Sequence, residues 1–257
     1  MESRGSATIA LHMLVLINLD GAVQRRMAMA RQLDIRGCSF ERVGIDLRCV
    51  RDAEVDTQIQ ARFPALRFDR KALSHTEIGC WLSHLSAWQM LLEQSADQSA
   101  TVLEDDLILA HGFAYAVKAL AQRDAFELIY LGTSSRNVSQ RRSTLVNGLA
   151  VHEPIGVIYN TWGYSITRAY VQRFLASGIR HIVLPIDHFL GGRGGRDRPQ
   201  IGVLQPAVVQ EDPVLGAASQ IGPHTRRLDR SKLVEEARRR LLSSPVSELY
   251  YSLYRFL

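Results

Sequence analysis

The sequence predicts an α/β domain followed by a helical C-terminal tail. Short apolar runs typical of strands alternate with helical patterns through most of the chain, as in a sheet with crossover helices. Apolar residues make up 46% of the 257 residues, enough to bury a core without disulfide bonds. The C-terminal residues form a basic segment. We therefore predict a leader over residues 1–11, one α/β domain over residues 12–222 and a basic helical tail over residues 223–257.

The individual elements follow from hydrophobic period and from residues that favour turns. Residues 13–19 are apolar almost throughout, which is typical of a strand covered on both faces. A helix is predicted next, and Gly37 offers the left-handed conformation that commonly ends helices. The remaining predictions are helices over residues 22–36 and 167–177, strands over residues 40–45, 100–103, 127–131 and 182–186, a polar loop over residues 133–147 and a mobile glycine-rich loop over residues 191–196.

A helix over residues 74–94 is the clearest element. Ser74 and Glu77 have the spacing of a capping box, and apolar residues then recur with helical period. Glu77 and His84 share one stripe of this helix with Trp81 and Trp88. Capping is the preferred role for Glu77, and an isolated histidine on such a stripe is more often a hydrogen-bonded core residue than part of a site.

Charge and cysteine content limit the classes of function. Residues 224–257 hold eight basic and four acidic residues, so they carry +4 of the net charge of +5. A basic, aromatic tail favours a membrane surface, and packing on the domain or into a homodimer remains open as an alternative. Nucleic-acid binding is not expected, because the charge is confined to this segment and no phosphate-binding loop occurs.

The compartment is predicted from the cysteines and from the N-terminal residues. Cys38, Cys49 and Cys80 form no C-x-x-C pair, which favours a reducing, cytoplasmic setting. The apolar run over residues 8–19 lacks a cleavage site and is shorter than the roughly 20 residues that span a bilayer. We expect a cytoplasmic protein, attached peripherally to the inner membrane if the tail binds lipid.

Three carboxylates, Glu104, Asp105 and Asp106, directly follow a predicted strand. Ligands of α/β sheets bind in the crevice outside the carboxyl ends of the strands. Side chains alternate in extended chain, so Glu104 and Asp106 are expected to face one way and Asp105 the other. Such a pair can hold Mg²⁺ or Mn²⁺ with coordination sites left for substrate phosphates. A solvated acidic turn is the alternative interpretation.

Two adjacent arginines, Arg25 and Arg26, lie in the first helix, shortly after Asn18 and Asp20. Basic side chains at this position can reach a diphosphate bound at the edge of the sheet. The alternative is a solvated helix face, which would be preferred if the pair stood alone.

Several motifs in order along the chain resemble glycosyltransferase family 25, of the bacterial lipopolysaccharide and lipooligosaccharide galactosyltransferase type. They are I-N-L-D at residues 17–20 with Arg25-Arg26, E-R-V at 41–43, E-I-G-C-W-L-S-H at 77–84 with Trp88, L-E-D-D at 103–106, G-Y at 163–164 and P-I-D at 185–187. The chain departs from the family at Gly21-Ala22, where an arginine is usual. Little matches beyond residue 195, so Gln210, Asp212 and His224 are only candidates for a C-terminal metal ligand.

The resemblance implies a GT-A-type, Rossmann-like fold, a UDP-sugar donor, most often UDP-galactose, and dependence on Mn²⁺ or Mg²⁺. It also implies an acceptor that is a lipopolysaccharide, a lipooligosaccharide or another glycan, lipid-linked or free, and an inverting reaction. A non-catalytic sugar-nucleotide-binding protein is the first alternative, and a basic nucleic-acid-binding protein is a weaker one.

If the resemblance holds, roles follow for particular residues. Asp106 is the expected metal ligand, with Glu104 or Asp105 assisting through the metal or the ribose. Asp187 is the expected general base, because it is a lone carboxylate at a second predicted strand end next to the glycine-rich loop, and a helix N-cap is its competing role. The other expected substrate-binding residues are Asn18, Asp20, Arg25, Arg26, Glu77, Ser83, His84, Glu104, Asp105, Gly163 and Tyr164.

Overall fold

The computed structural model describes residues 12–134, 138–176, 178, 181–194 and 199–215. The predicted leader, the predicted tail and His224 lie outside the described residues. The strands are β1 (Met13–Ile17), β2 (Glu41–Val43), β3 (Arg67–Phe68), β4 (Ser99–Leu103), β5 (Leu107–Leu109), β6 (Leu128–Tyr130), β7 (Val138–Val146), β8 (Leu149–Pro154), β9 (Gly163–Thr167), β10 (His181–Ile182), β11 (Ile201–Gln205) and β12 (Val209–Glu211). The helices are α1 (Val23–Asp34), α2 (Asp52–Arg62), α3 (His75–Glu93), α4 (Phe113–Leu120), α5 (Arg168–Ala176) and α6 (Ile186–His188), the last continued by a π-helical turn over Phe189–Arg193.

A mixed sheet forms the centre of the fold. Within the described part of the chain it has eight strands in the order β2-β1-β4-β9-β6-β11-β8-β7. Strand β1 lies parallel to both β2 and β4, and β6 lies parallel to β11. Strand β9 runs antiparallel between β4 and β6. The α/β, GT-A-type Rossmann-like class is confirmed, with antiparallel strands mixed into the sheet.

Hydrophobic residues cover both faces of the sheet. One cluster contains Val15 with α3 and α5, including Trp81, Trp88 and Phe174. The other contains Leu14 and Leu16 with apolar residues of α1 and α4. Alternate side chains of β1 therefore enter opposite cores, as the continuous apolar run predicts. In the described ranges, no helix combines the length and the apolar character that a membrane crossing requires.

Helix α3 confirms the predicted capping box. The Glu77 backbone N–H donates to Ser74 Oγ at 3.3 Å, and the Ser74 backbone N–H donates to Glu77 Oε2 at 2.7 Å. Two amide groups without helical partners are thereby satisfied. Gly37 after α1 has a positive φ of 64°, and Gly178 after α5 one of 70°, as expected for glycines that end helices.

Three local predictions are wrong. The polar segment 133–147 contains strand β7, which forms a hairpin with β8. Its turn is Asn147-Gly148, both with positive φ, and this dipeptide is the commonest signal for such a hairpin. Residues 182–186 supply only the end of β10, because Pro185 precedes helix α6. Residues 191–193 belong to the π-helical turn, and Gly191 is buried there rather than in an open loop.

Gly44 fixes the chain beside the end of β1. A Cβ at this residue would lie 2.2 Å from the Asn18 carbonyl oxygen, so only glycine allows this approach. The Asn18 backbone N–H donates to the Val43 carbonyl at 2.9 Å. Val43 at the end of β2 and Gly44 after it therefore hold Asn18 at the carboxyl end of β1.

Candidate active site

The candidate site lies where the parallel strands β1 and β4 end side by side. Asn18 follows β1, and Glu104, Asp105 and Asp106 follow β4. Carboxyl ends of adjacent parallel strands are the usual ligand-binding edge of an α/β sheet. The structure thus brings together the two motifs that the sequence analysis treated separately.

A buried ion-pair network joins these strand ends to α1. Arg25 Nη1 lies 3.0 Å from Asp105 Oδ1 and 3.1 Å from Asp106 Oδ2, and Arg25 Nη2 donates to the Leu215 carbonyl at 2.6 Å. Asn18 Nδ2 donates to Asp105 Oδ2 at 2.7 Å. Asp105 and Asp106 share one guanidinium, so their side chains do not diverge as strict alternation predicts. The structure therefore places Arg25 against carboxylates, whereas the sequence analysis expected it at a diphosphate.

The neighbouring charged residues are more exposed. Arg26 is only partly buried on α1. Asp20 is exposed and its Oδ1 lies 2.7 Å from Arg42 Nη2. The binding roles predicted for Arg26 and Asp20 remain predictions.

Asp106 has an unfavourable electrostatic environment. Burial raises its pKa from 3.8 to about 6, with further repulsion from Glu104, Asp105 and Glu211 that Arg25 only partly offsets. Strand β12 brings Glu211 here through its pairing with β5. Burial and like charges both disfavour the ionised carboxyl, and a bound cation would relieve them.

The C-terminal part of the described chain also reaches this site. The Asp212 backbone N–H donates to the Asp106 carbonyl at 2.8 Å. Asp212 Oδ1 accepts the backbone N–H groups of Val214 and Leu215, at 2.8 and 3.1 Å. Of the candidates for a C-terminal ligand, Asp212 is therefore adjacent to the acidic residues and Gln210 is exposed on β12.

Glu104 contacts a different set of residues from Asp105. Its Oε1 accepts a hydrogen bond from Thr161 Oγ1 and lies 3.7 Å from His84 Nε2. Its backbone N–H donates to the Trp162 carbonyl at 2.8 Å. The Glu104 carboxylate is consequently turned toward α3 and the segment before β9, with 27% of its side chain exposed.

His84 belongs to a buried hydrogen-bonded group. Its Nδ1 lies 2.7 Å from the Tyr164 hydroxyl, which also accepts Trp88 Nε1–H at 2.9 Å. The rings of His84 and Tyr164 stack with centroids 5.6 Å apart. Gly163 is tightly packed, since a Cβ there would lie 2.8 Å from Leu103 Cδ2. These contacts fix the orientation of His84 behind Glu104.

Two other predicted binding residues have structural partners. Glu77 forms the capping box. Ser83 Oγ donates to the Gly79 carbonyl at 2.8 Å and accepts the Ile45 backbone N–H at 2.9 Å. Both contacts explain these residues without a ligand, and their substrate-binding roles stay predictions.

Asp187 lies within α6 with 30% of its side chain exposed. Its Oδ1 accepts the His188 backbone N–H at 2.8 Å. The N-cap residue of α6 is Pro185, so the competing N-cap role for Asp187 is wrong. Burial, then the charge of Asp187, raises the pKa of the Tyr130 phenol well above its ordinary value, with a contribution from Glu104. The charges of Asp187 and Glu104 thus both act on the buried Tyr130 phenol.

Three residues that surround or sense Glu104 are not among the predicted site residues: Cys80, Tyr130 and Thr161. Cys80 and His84 are four residues apart on one helix, a spacing that places both on one face and that the sequence does contain. Thr161 and the fully buried Tyr130 carry no comparable signal, because their position depends on long-range packing.

The ion-pair network leads to a stability prediction. We expect Arg25→Gln to lower the free energy of unfolding by about 3 kcal/mol or more, because it leaves buried carboxylates without their cation. The matched change Arg26→Gln should cost less than about 0.5 kcal/mol, as is usual at partly exposed positions. Urea denaturation of both variants measures the difference, and equal losses would contradict the assignment.

The raised pKa of Asp106 leads to a prediction about pH. The folded protein binds more protons than the unfolded chain between about pH 4 and pH 6, so this carboxyl favours folding at low pH and the contribution is lost as pH rises through about 6. The change in the free energy of unfolding caused by Asp106→Asn should therefore be more favourable at about pH 7.5 than at about pH 4. We expect a difference of roughly 2 kcal/mol, given about 1.4 kcal/mol per pKa unit. Unfolding free energies at the two pH values test this; the same effect at both would refute it.

Comparisons with known proteins relate the chain to one family of glycosyltransferases. The profile of glycosyltransferase family 25 (LPS biosynthesis protein) matches residues 12–190. A "Glycosyltransferase 25 family member" of Anopheles gambiae is 28% identical over 189 residues, which are 71% of this chain and 31% of the mosquito protein. "Procollagen galactosyltransferase 2" of Mus musculus is 27% identical over 186 residues, 69% of this chain and 29% of the mouse protein.

A human relative carries a different description. "Inactive glycosyltransferase 25 family member 3" of Homo sapiens is 27% identical over 175 residues, 65% of this chain and 28% of the human protein. The chain thus spans less than a third of the length of each of these relatives. Because the family profile covers well over half of the chain and includes β1, α3, β4 and α6, this chain belongs to glycosyltransferase family 25.

Proposed function

We propose that the chain transfers a hexose from a UDP-sugar to a hydroxyl of a glycan acceptor, with Mn²⁺ or Mg²⁺ as cofactor. Galactose is the preferred candidate for the hexose. The observation that carries the proposal is the acidic cluster at the carboxyl end of β4, formed by Glu104, Asp105, Asp106 and, from β12, Glu211. The negative charges of Glu104, Asp105 and Glu211 raise the pKa of Asp106, and Arg25 forms ion pairs with Asp105 and Asp106. Such an excess of negative charge favours a divalent cation.

The donor atoms in this cluster suit a hard cation. Carboxylate oxygens are the ligands that Mg²⁺ and Mn²⁺ prefer. Asp106 would hold the ion, with Glu104 beside it, and Asp212 is close enough in the fold to be a further candidate. When bound, the ion would supply positive charge that stabilises the diphosphate of the leaving UDP.

The chain's own residues would divide the remaining work. Arg25 positions Asp105 and Asp106 from behind, and Arg26, partly exposed on the same helix, is the better candidate to approach the diphosphate. Asn18, Asp20, Gly163 and Tyr164 would shape the donor pocket. Glu77, Ser83 and His84 would support it from α3.

Asp187 would accept the proton of the attacking hydroxyl. The acceptor oxygen forms a bond to the anomeric carbon while the bond from that carbon to the UDP oxygen breaks, and the electron pair leaves with UDP. A single displacement of this kind inverts the anomeric centre, as the family resemblance implies. Partial exposure of Asp187 leaves its carboxylate accessible to an acceptor.

The choice of sugar and acceptor draws on the comparisons. The name of the mouse relative supports galactose, and the family description supports a lipopolysaccharide-type acceptor. A lipid-linked acceptor would agree with peripheral attachment at the inner membrane through the basic tail, which lies outside the described residues. A sugar-nucleotide-binding protein without activity is the second candidate, because one human relative is described as inactive.

A donor screen tests the proposal. We expect nucleotide release from one UDP-sugar, among UDP-, GDP-, ADP- and CMP-sugars offered with a glycan acceptor, in Mn²⁺ and not in EDTA. Asp106→Ala should abolish the release, and Asp34→Ala, which removes an exposed carboxylate of α1, should leave it unchanged. Metal-independent release, or full activity of Asp106→Ala, would contradict the proposed role of the acidic cluster.

The same assay separates the two candidate functions. Asp187→Asn should lower kcat by about 10²- to 10⁴-fold, the usual contribution of a general base, and leave UDP affinity unaffected. Mn²⁺-dependent UDP binding without turnover across the donors and acceptors would instead support the binding protein.

A further inference from the structure

Three side chains with metal-ligating atoms converge behind the acidic cluster. Cys80 and His84 lie one turn apart on α3, and Glu104 follows β4. One sulfur, one nitrogen and one oxygen atom from these residues all lie within 4.8 Å of one another. This group shares Glu104 with the acidic cluster and differs from it because it includes a thiol and an imidazole.

His84 is held with one ring nitrogen directed at this group. Its Nδ1 is engaged by the Tyr164 hydroxyl at 2.7 Å. Its Nε2 is fully buried and has no hydrogen-bond partner among the described residues. A buried polar atom without a partner is costly, so a ligand at this point would remove a penalty. Histidines that bind metals are typically oriented through their second ring nitrogen in this way.

The separation of the donor atoms fits one small ion. His84 Nε2 lies 3.7 Å from Glu104 Oε1, which is too long for a hydrogen bond. Two ligand atoms bound at 2.0–2.2 Å to a tetrahedral Zn²⁺ lie about 3.4 Å apart, so a small shift would complete the geometry. Partial exposure of the Glu104 side chain offers a path for entry.

We propose that Cys80, His84 and Glu104 form a binding site for Zn²⁺, with Cys80 Sγ, His84 Nε2 and Glu104 Oε1 as ligands and one position left open. Thiolate and imidazole select zinc over Mg²⁺ and Mn²⁺, which prefer oxygen. The bound ion would join α3 to the end of β4 and hold Glu104 of the acidic cluster in place. Glu104 is shared with the proposed reaction site, but zinc binding is measured without nucleotide or acceptor, so failure of one proposal can be distinguished from failure of the other.

Cobalt substitution tests the site directly on the full chain. Co²⁺ added to the metal-free protein should give the near-ultraviolet absorption band of a cobalt–thiolate bond, and Zn²⁺ should displace it. Cys80→Ser should lose the band and weaken zinc affinity by about 100-fold or more, since even outer partners of a zinc site contribute about 10- to 100-fold. The control variant Cys49→Ser, which changes an exposed cysteine, should keep the absorption band and the zinc affinity.

The outcomes separate this site from the proposed cation at Asp106. Asp106→Asn should retain one tightly bound zinc after dialysis and still lose metal-dependent nucleotide release. Circular dichroism of Cys80→Ser establishes that the variant is folded. Absence of the thiolate band in the unmodified protein, or zinc retained by Cys80→Ser and lost by Asp106→Asn, would overturn the proposal.

Discussion

The buried pairing of Arg25 with Asp105 and Asp106 is the interaction on which the rest of the site depends. One guanidinium joins α1 to the end of β4, and through Leu215 it also contacts the chain after β12. Burying charges is costly unless they are paired and hydrogen-bonded. The pairing therefore restricts the relative positions of α1, the end of β4 and the chain after β12. Asn18 adds the end of β1 to the same network.

The ion-pair network only partly compensates the negative charge around Asp106. Arg25 is shared between two carboxylates, and Glu104 and Glu211 add further negative charge close by. The result is a folded site with an excess of negative charge at the edge of the sheet where α/β proteins bind ligands. A similar excess often marks functional sites, since the fold tolerates it only at some cost in stability.

The parts predicted from sequence are those set by short-range chemistry. The capping box of α3, the apolar β1 and the position of the acidic residues after β4 all depend on neighbours within a few residues. The β7–β8 hairpin was also readable from Asn147-Gly148, although the polar composition of the segment favoured a loop. The pairing of Arg25, the contact of Asp212 with Asp106 and the orientation of Glu104 toward Thr161 bring together residues far apart in sequence, so no local pattern reveals them.

Calorimetric titration of UDP into the protein, with Mn²⁺ and then with EDTA, most directly tests the role proposed for the acidic cluster. If the cluster binds a cation that in turn binds the diphosphate, UDP binding is saturable in Mn²⁺ and is lost in EDTA and in Asp106→Asn. UDP binding of equal affinity with and without the metal, or unaffected by Asp106→Asn, would contradict it.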